Sequence, residues 1–137
     1  MQLAIPSRRG FFSKRAVSGE HTLSVAIVDD SVEDYFLLSH LLRKSNLEVS
    51  RIDHYTNLED FLSDDANSPD VVVLDRCLPD CGLSESRIRE VRAKHNNCGV
   101  ILHTGCLTPS LRSTAAHEGA VAVIEKGTLD AKAIGAM

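Results

Sequence analysis

The run Leu23-Ser-Val-Ala-Ile-Val-Asp-Asp30 consists almost entirely of apolar residues, several of them branched, and stops at two aspartates. A second run, Val71-Val-Val-Leu-Asp75, has the same character and also stops at an aspartate. Short, continuously apolar runs of this kind are typical of parallel strands that are buried on both faces. Three further runs bring the number of predicted strands to five: Leu47–Ile52, Val100–Leu102 and Val121–Ile124.

Amphipathic stretches separate these runs and predict four helices. In the run at 47–52 polar residues alternate with apolar ones, which indicates a strand at the edge of the sheet. Gly119 is expected to end the fourth helix, and residues 126–137 leave room for only a short last helix. The predicted helix starts are Ser31, Thr56 with Glu59 as its capping-box partner, Ser84, and Thr108 followed by Pro109.

Strands that alternate with helices predict an α/β protein with an open, doubly wound parallel sheet. We expect the flavodoxin-like (βα)5 arrangement, with the strand order 2-1-3-4-5 and a shortened last helix. In such a sheet the functional site lies beyond the carboxyl ends of the strands. The residues that follow each strand are therefore the first candidates for a site.

The composition of the 137-residue chain fits one domain, with 43% apolar, 25% charged and 4% aromatic residues. A net charge of −4 argues against direct binding of nucleic acid over the whole surface. The charge is uneven, because residues 1–21 carry four basic side chains and one acidic side chain. We therefore expect a basic, disordered N-terminal tail over residues 1–21 and one acidic domain over residues 22–137.

The cysteines and the N-terminal residues bear on where the protein works. Four cysteines in a chain without a secretory leader predict reduced thiols in a cytoplasmic protein. The segment Ser7-Arg-Arg-Gly-Phe-Phe12 resembles a twin-arginine export motif, but no apolar run follows it, and we interpret the match as coincidental. The sequence contains no run of about eighteen apolar residues, so it predicts no membrane span.

Polar side chains follow four of the five predicted strands. Asp29 and Asp30 follow the first strand and Asp75 follows the third, so three carboxylates are expected at one edge of the sheet. Such carboxylates repel one another, and a cation with oxygen ligands, Mg²⁺ in preference to zinc, would offset their charge. Thr104 follows the fourth strand and Lys126 the fifth. A metal, a hydroxyl and an ammonium around one carboxylate predict a site that holds a phosphoryl group.

These residues resemble the receiver domain of two-component response regulators. Asp75 lies 45 residues after Asp30 and is followed by Leu78-Pro79, and Thr104 and Lys126 follow at intervals of 29 and 22 residues. The order and the approximate spacing match the family over about residues 22–134. No single feature is specific, but five features in order on one predicted fold make the resemblance strong.

The resemblance implies that Asp75 is the nucleophile that takes a phosphoryl group from a phosphohistidine. It also implies that Asp29, Asp30, Asp75 and the backbone carbonyl of Cys77 hold Mg²⁺. Lys126 would pair with Asp75 or with a phosphoryl oxygen. Thr104 would move toward the phosphoryl group and so couple phosphorylation to a change of the surface.

The resemblance also implies a partner and a function. The donor would be a sensor histidine kinase or a histidine phosphotransfer protein, with Ser31, Val32 and Tyr35 as contact residues. With no further domain after Met137, we expect a single-domain response regulator that acts as a relay, a phosphate sink or a protein-binding switch, rather than an enzyme. Two alternatives remain: a phosphorylation-independent interaction module of the same fold, and a small Mg²⁺-dependent phosphohydrolase that uses Asp75.

The sequence departs from the family pattern at several positions. Val123 stands three residues before Lys126, where the family usually has Tyr or Phe, and Gly127 replaces the usual proline after the lysine. Cys77 and Cys106 occupy the positions that tune hydrolysis of the aspartyl-phosphate, so we expect a long-lived phosphorylated form. The short last helix makes a dimer of the family type doubtful.

Overall fold

The computed structural model describes residues 22–95 and 98–128, and within them the chain forms a five-stranded parallel sheet. The strands of this sheet are β1 (Leu23–Val28), β2 (Val49–Tyr55), β3 (Val71–Asp75), β6 (Gly99–Thr104) and β7 (Ala122–Glu125). A small antiparallel hairpin follows β3 and consists of β4 (Cys77–Leu78) and β5 (Gly82–Leu83). The helices are α1 (Val32–Lys44), α2 (Leu58–Ser63), α3 (Ile88–Lys94) and α4 (Pro109–Glu118), with a 3-10 turn at Ser84–Arg87.

The order of strands in the sheet is β2-β1-β3-β6-β7. Without the hairpin this is the predicted order 2-1-3-4-5, and the alternating strand at β2 lies at an edge as expected. The register is regular near the carboxyl ends, where Val28 pairs with Leu74 and Asp75 pairs with His103. The last residues of β1, β3 and β6 therefore lie side by side.

Helices cover both faces of the sheet, as a doubly wound fold requires. On one face, Ala26, Val28 and Leu74 of the sheet join a buried core with α2, α3 and α4. On the other face, Val25, Ile27 and Val73 pack against Leu38 and Leu42 of α1. The strands of the sheet centre are apolar on both faces because both faces are covered.

The capping residues of two helices are those that the sequence predicts. The Ser31 side chain accepts the backbone N–H of Asp34 at the start of α1, and Thr108 does the same for Leu111 at the start of α4. Gly119 ends α4 with a φ of 108°, a left-handed conformation that costs glycine little. These local signals place α1 and α4 relative to the strand ends.

Several predicted boundaries were wrong. β6 covers Gly99–Thr104 and not 100–102, and β7 covers Ala122–Glu125 and not 121–124. The cap of α2 is Asn57 and not Thr56, because the Asn57 side chain accepts the N–H of Asp60 at 2.8 Å. β2 begins at Val49 and not at Leu47, because the N–H of Leu47 donates to the Ser45 hydroxyl in the turn after α1. β2 also continues to Tyr55, since its polar residues pair with the end of β1.

Two elements differ from the predicted ones, and two predicted segments lie wholly or largely beyond the described structure. The hairpin β4–β5 had no signal in the apolar pattern, and the predicted third helix begins as a 3-10 turn over Ser84–Arg87. The N-terminal tail, residues 1–21 with the twin-arginine-like segment, lies outside the described residues, and so do residues 129–137 of the segment 126–137 in which the last helix is predicted. Residues 126 and 127 form a turn.

Candidate functional site

Three aspartates meet at the carboxyl edge of the sheet. Asp29 and Asp30 follow β1, and Asp75 is the last residue of β3, so the parallel register places them together. One carboxylate oxygen from each lies within 4.8 Å of the others. Asp29 and Asp75 are buried, whereas Asp30 is exposed. A pocket with two buried carboxylates and one open to solvent suits a cation that enters from water.

The surroundings of the buried Asp75 carboxyl disfavour its charged form. Its pKa is raised to about 6, first because burial disfavours the charged form and then because Asp29 is negatively charged nearby. Lys126 acts in the opposite direction but does not compensate fully. The donor set is three carboxylates with one ammonium, a combination that a divalent cation would stabilise.

The ammonium of Lys126 contacts three carboxylates at once. Nζ lies 2.8 Å from Oδ2 of Asp34, 3.1 Å from Oδ1 of Asp75 and 3.5 Å from Oδ2 of Asp29. Burial opposes the charge of the lysine, but hydrogen bonds to Asp34 and Asp75 outweigh it, so the pKa of Lys126 is raised. Its backbone N–H donates to the Thr104 carbonyl at 2.7 Å, which fixes the turn after β7 to the end of β6.

The loop after β1 is fixed by its own hydrogen bonds. Oδ1 of Asp29 accepts the N–H of Ser31 at 2.9 Å, which orients the carboxylate at the start of α1. The Asp29 carbonyl accepts a hydrogen bond from Nε2 of His54 at 2.7 Å. The His54 ring in turn stacks on Tyr35, with ring centroids 4.0 Å apart. Tyr35 and His54 therefore support the backbone that carries the first two aspartates.

The loop after Asp75 is held by a buried serine. The Ser84 hydroxyl donates to the carbonyl of Asp75 at 2.7 Å, and its N–H donates to the carbonyl of Arg76 at 2.7 Å. Arg76 itself pairs with Glu85 at 3.0 Å. These contacts, together with the β4–β5 hairpin, fix the backbone around Cys77.

Thr104 lies at the end of β6, beside the end of β3, and is buried. Its Oγ1 accepts the N–H of Cys106 at 3.1 Å and donates to the Cys106 carbonyl at 3.3 Å. Cys77 and Cys106 are both exposed, and all four cysteines are free thiols. The hydroxyl of Thr104 thus hydrogen-bonds its own loop, and none of its described hydrogen bonds reaches the aspartates.

Val123 and Gly127, two of the departures from the family pattern, lie in the described part of the chain. Val123 is 2% exposed and belongs to the core between the sheet and α2, α3 and α4. Gly127 has a φ of 85°, a conformation that proline cannot adopt. The turn after Lys126 therefore has a backbone conformation that the usual proline at position 127 would not allow.

The predicted contact residues Ser31, Val32 and Tyr35 lie together at the start of α1. Val32 is 49% exposed, and two further apolar side chains of the same helix, Phe36 and Leu37, are exposed as well. Tyr35 is only partly accessible because its ring packs on His54. This exposed apolar surface begins at Val32, two residues after Asp30 in the chain.

Sequence reasoning missed several residues that complete this site. Asp34 binds Lys126, Ser84 fixes the Asp75 carbonyl, and His103 lies buried beside Lys126. Asp34 carried a signal only as an acid in the first turn of a helix, where it complements the helix dipole. Its contact with a lysine 92 residues away has no local sequence signal.

Comparison with known families decides the assignment. The sequence profile of the response regulator receiver domain matches residues 25–136. The chain belongs to the response regulator receiver domain family. No curated protein matches the chain significantly. Receiver domains are phospho-acceptor switches of two-component signalling, bind Mg²⁺ at an acidic pocket and interact with histidine kinases or phosphotransfer proteins.

Solved receiver structures share the fold. The response regulator DrrB, a Thermotoga maritima OmpR/PhoB homologue, is 25% identical with a TM-score of 0.70 over 84% of this chain, which spans 50% of that chain. The BeF3-activated DrrB receiver domain is 25% identical with a TM-score of 0.71, covering 84% of this chain and 92% of that one. The chemotaxis protein CheY4 of Vibrio cholerae, 19% identical, has the same fold with a TM-score of 0.66, over 79% of this chain and 89% of its own.

Among residues 22–95 and 98–128, no helix has the length and apolar character that crossing a membrane requires.

Proposed function

We propose that this receiver domain is a single-domain response regulator phosphorylated on Asp75 by a sensor histidine kinase or a histidine phosphotransfer protein. It acts as a relay, a phosphate sink or a protein-binding switch. The observation that carries the proposal is the position of Asp75, 3.1 Å from Lys126 and within 4.8 Å of Asp29 and Asp30. A partly buried carboxylate with a lysine and two further acids beside it is suited to accept a phosphoryl group.

We assign Mg²⁺ to the oxygen atoms of Asp29, Asp30 and Asp75 and to the backbone carbonyl of Cys77. The close approach of three carboxylates and the raised pKa of Asp75 support a cation at this place. Bound there, the metal would supply positive charge to the phosphoryl oxygens during transfer. The Ser84 and β4–β5 contacts hold the Cys77 backbone in a fixed position beside the acids.

In the transfer step a carboxylate oxygen of Asp75 forms a bond to phosphorus while the bond from phosphorus to the histidine nitrogen breaks. The imidazole of the partner leaves with that electron pair. The Lys126 ammonium stabilises the charge on the phosphoryl oxygens. The Thr104 hydroxyl leaves the Cys106 backbone and donates to the phosphoryl group, which moves the loop after β6.

The partner approaches over α1. Ser31, Val32 and Tyr35 lie at the start of this helix, and the exposed side chains of Phe36 and Leu37 extend the same surface. Apolar side chains next to the nucleophile favour docking of a helical partner that carries the phosphohistidine. We place the reaction in the cytoplasm because the cysteines around the site are free thiols.

A second function, an interaction module that needs no phosphorylation, is favoured by one observation. Val123 is a buried core residue, so the mobile aromatic ring of the family is replaced by fixed packing. In that case the surface of α1 would bind its partner in a single state. The two functions differ in whether Asp75 is modified.

The discriminating experiment is an intact-mass measurement after incubation with acetyl phosphate, with and without Mg²⁺. We expect a gain of one phosphoryl group that requires Mg²⁺, is lost in Asp75→Ala and is retained in Asp65→Ala, a control at an exposed carboxylate on the loop after α2. No gain with any donor would contradict the proposal and favour the interaction module. Continuous release of phosphate from phosphate esters would favour the hydrolase.

A further inference from the structure

The Lys126 ammonium forms ion pairs with Asp75, in the proposed phosphorylation site, and with Asp34 of helix α1. Its shortest contact is with Asp34, at 2.8 Å, whereas Asp75 lies at 3.1 Å. Asp34 is not one of the three aspartates that could share a cation. The nearest partner of the lysine is therefore a residue without a role in the phosphoryl site described so far.

Asp34 is well fixed for this contact. It lies in the first turn of α1, where its backbone N–H donates to the Ser31 hydroxyl. The hydrogen bond from Lys126 is also the main reason that the pKa of Asp34 is lowered. A cavity of about 40 Å³ lies next to the pair and is lined by Asp34, Leu37, Leu38, Leu41, His103, Lys126 and Gly127. The space beside the pair leaves room for the lysine side chain to shift.

We propose that Asp34 is a positioning residue that shares the Lys126 ammonium with Asp75 before phosphorylation and releases it to the phosphoryl group afterwards. The proposal rests on the proposed function of Asp75. It adds a residue that acts through the lysine and not on the phosphoryl group itself.

The direction of the effect follows from the charges. An ammonium has three N–H donors, and three carboxylates now surround that of Lys126. A phosphoryl group on Asp75 brings new anionic oxygens to the same place, so Asp34 competes with them for the lysine. Removing the charge of Asp34 therefore favours the phosphorylated state. Conversely, phosphorylation frees the Asp34 side chain and so changes the first turn of α1, the surface on which the partner docks.

The test measures binding of beryllofluoride, a stable mimic of the phosphoryl group, by ¹⁹F NMR at a fixed Mg²⁺ concentration. We expect Asp34→Asn to bind beryllofluoride roughly two- to fivefold more tightly than the wild type, the size of one partly exposed ion pair. The sign is informative, because damage to the site would weaken binding. Asp34→Glu, which restores the charge, should return the affinity toward the wild-type value.

Glu33→Gln is the matched control, since it removes a negative charge from the same helical turn at an exposed side chain. We expect it to bind beryllofluoride as the wild type does. Equal tightening in Glu33→Gln and Asp34→Asn would overturn the proposal, because general charge would then explain the effect. Unchanged or weaker binding in Asp34→Asn would also overturn it. A wild-type protein that binds no beryllofluoride would overturn the proposed function together with this inference.

Discussion

The two sides of the proposed phosphorylation site are built differently. On one side, which we call the acidic corner, Asp29, Asp34 and Asp75 surround Lys126 with three ion pairs. On the other side, which we call the hydroxyl corner, the Thr104 hydroxyl bonds only to the Cys106 backbone among the hydrogen bonds of the described residues, and Val123 packs in the core.

The two corners differ in their charges and in their packing. The acidic corner carries the charges that a phosphoryl group and a cation require, and its contacts tie β1, α1, β3 and β7 together. The hydroxyl corner carries no ion pair among the described residues and consists of one hydrogen-bonded hydroxyl beside the packed side chain of Val123. Under the proposed function, we therefore expect acceptance of a phosphoryl group to depend more on the acidic corner than on the β6–β7 side.

The largest expected effect concerns His103, which connects the two corners. It precedes Thr104 on β6, but its side chain faces α1 and Lys126. Its pKa is lowered to about 4, first by burial and then by the positive charge of Lys126, and Nδ1 has no hydrogen-bond partner among the described residues. The ring is therefore neutral in the folded protein and becomes protonated on unfolding at mildly acidic pH.

The sign follows from proton binding. Between pH 6.5 and about pH 4 the unfolded chain holds a proton on His103 that the folded chain lacks, so this group lowers the free energy of unfolding as the pH falls. Asp75 acts in the opposite direction, because its pKa is raised to about 6. The experiment must therefore compare the free energy of unfolding of a His103 variant with that of the wild type at each pH, because the wild-type profile alone contains both effects.

We predict that His103→Leu gains stability relative to the wild type as the pH falls through this window, by up to about 3 kcal/mol. Urea unfolding followed by circular dichroism at several pH values measures this difference. His117→Gln, at an exposed histidine of α4, is the control and should show no such trend. A constant difference between His103→Leu and the wild type would mean that burial and the charge of Lys126 do not lower the pKa of His103 in the folded protein.

The same comparison shows which features the sequence could predict. The five strands, the order of the sheet and the caps Ser31 and Thr108 come from apolar runs and capping side chains, which are local signals. The three aspartates could be placed together because parallel strands align their carboxyl ends. The roles of these residues in phosphorylation remain predictions.

The contacts that could not be predicted from the sequence form only once the chain has folded. The Asp34–Lys126 contact joins residues 92 positions apart, and the hydrogen bond from Ser84 to the Asp75 carbonyl depends on a turn without an apolar pattern. The cap of α2 was misplaced because Thr56 and Asn57 are both good capping residues, and only the hydrogen bond to Asp60 distinguishes them.

The next effect in size tests whether the hydroxyl corner has room for an aromatic side chain at position 123, where the family usually has Tyr or Phe. Val123 is 2% exposed and packs in the main core. We predict that Val123→Phe lowers the free energy of unfolding by roughly 1–3 kcal/mol, because a larger ring overfills a packed site. Val123→Ile, which adds one methylene, should cost less in the same urea experiment. A Val123→Phe variant as stable as the wild type would show that the hydroxyl corner can hold an aromatic ring. The description of this corner as tightly packed would then be wrong.

The smallest effect concerns the lifetime of the phosphorylated form. Cys77 and Cys106 are exposed thiols that flank Asp75 and Thr104 along the chain, and a thiol is a weak hydrogen-bond partner for an attacking water. We predict that Cys106→Glu speeds loss of the phosphoryl group roughly tenfold, less than a fully positioned general base contributes. The measurement is the decay of the phosphorylated mass after the donor is removed, with Cys81→Ser as the control at a thiol outside these two positions. If Cys106→Glu decays no faster than the wild type, water is limited by access through the acidic corner, and the hydroxyl corner does not set the lifetime of the signal.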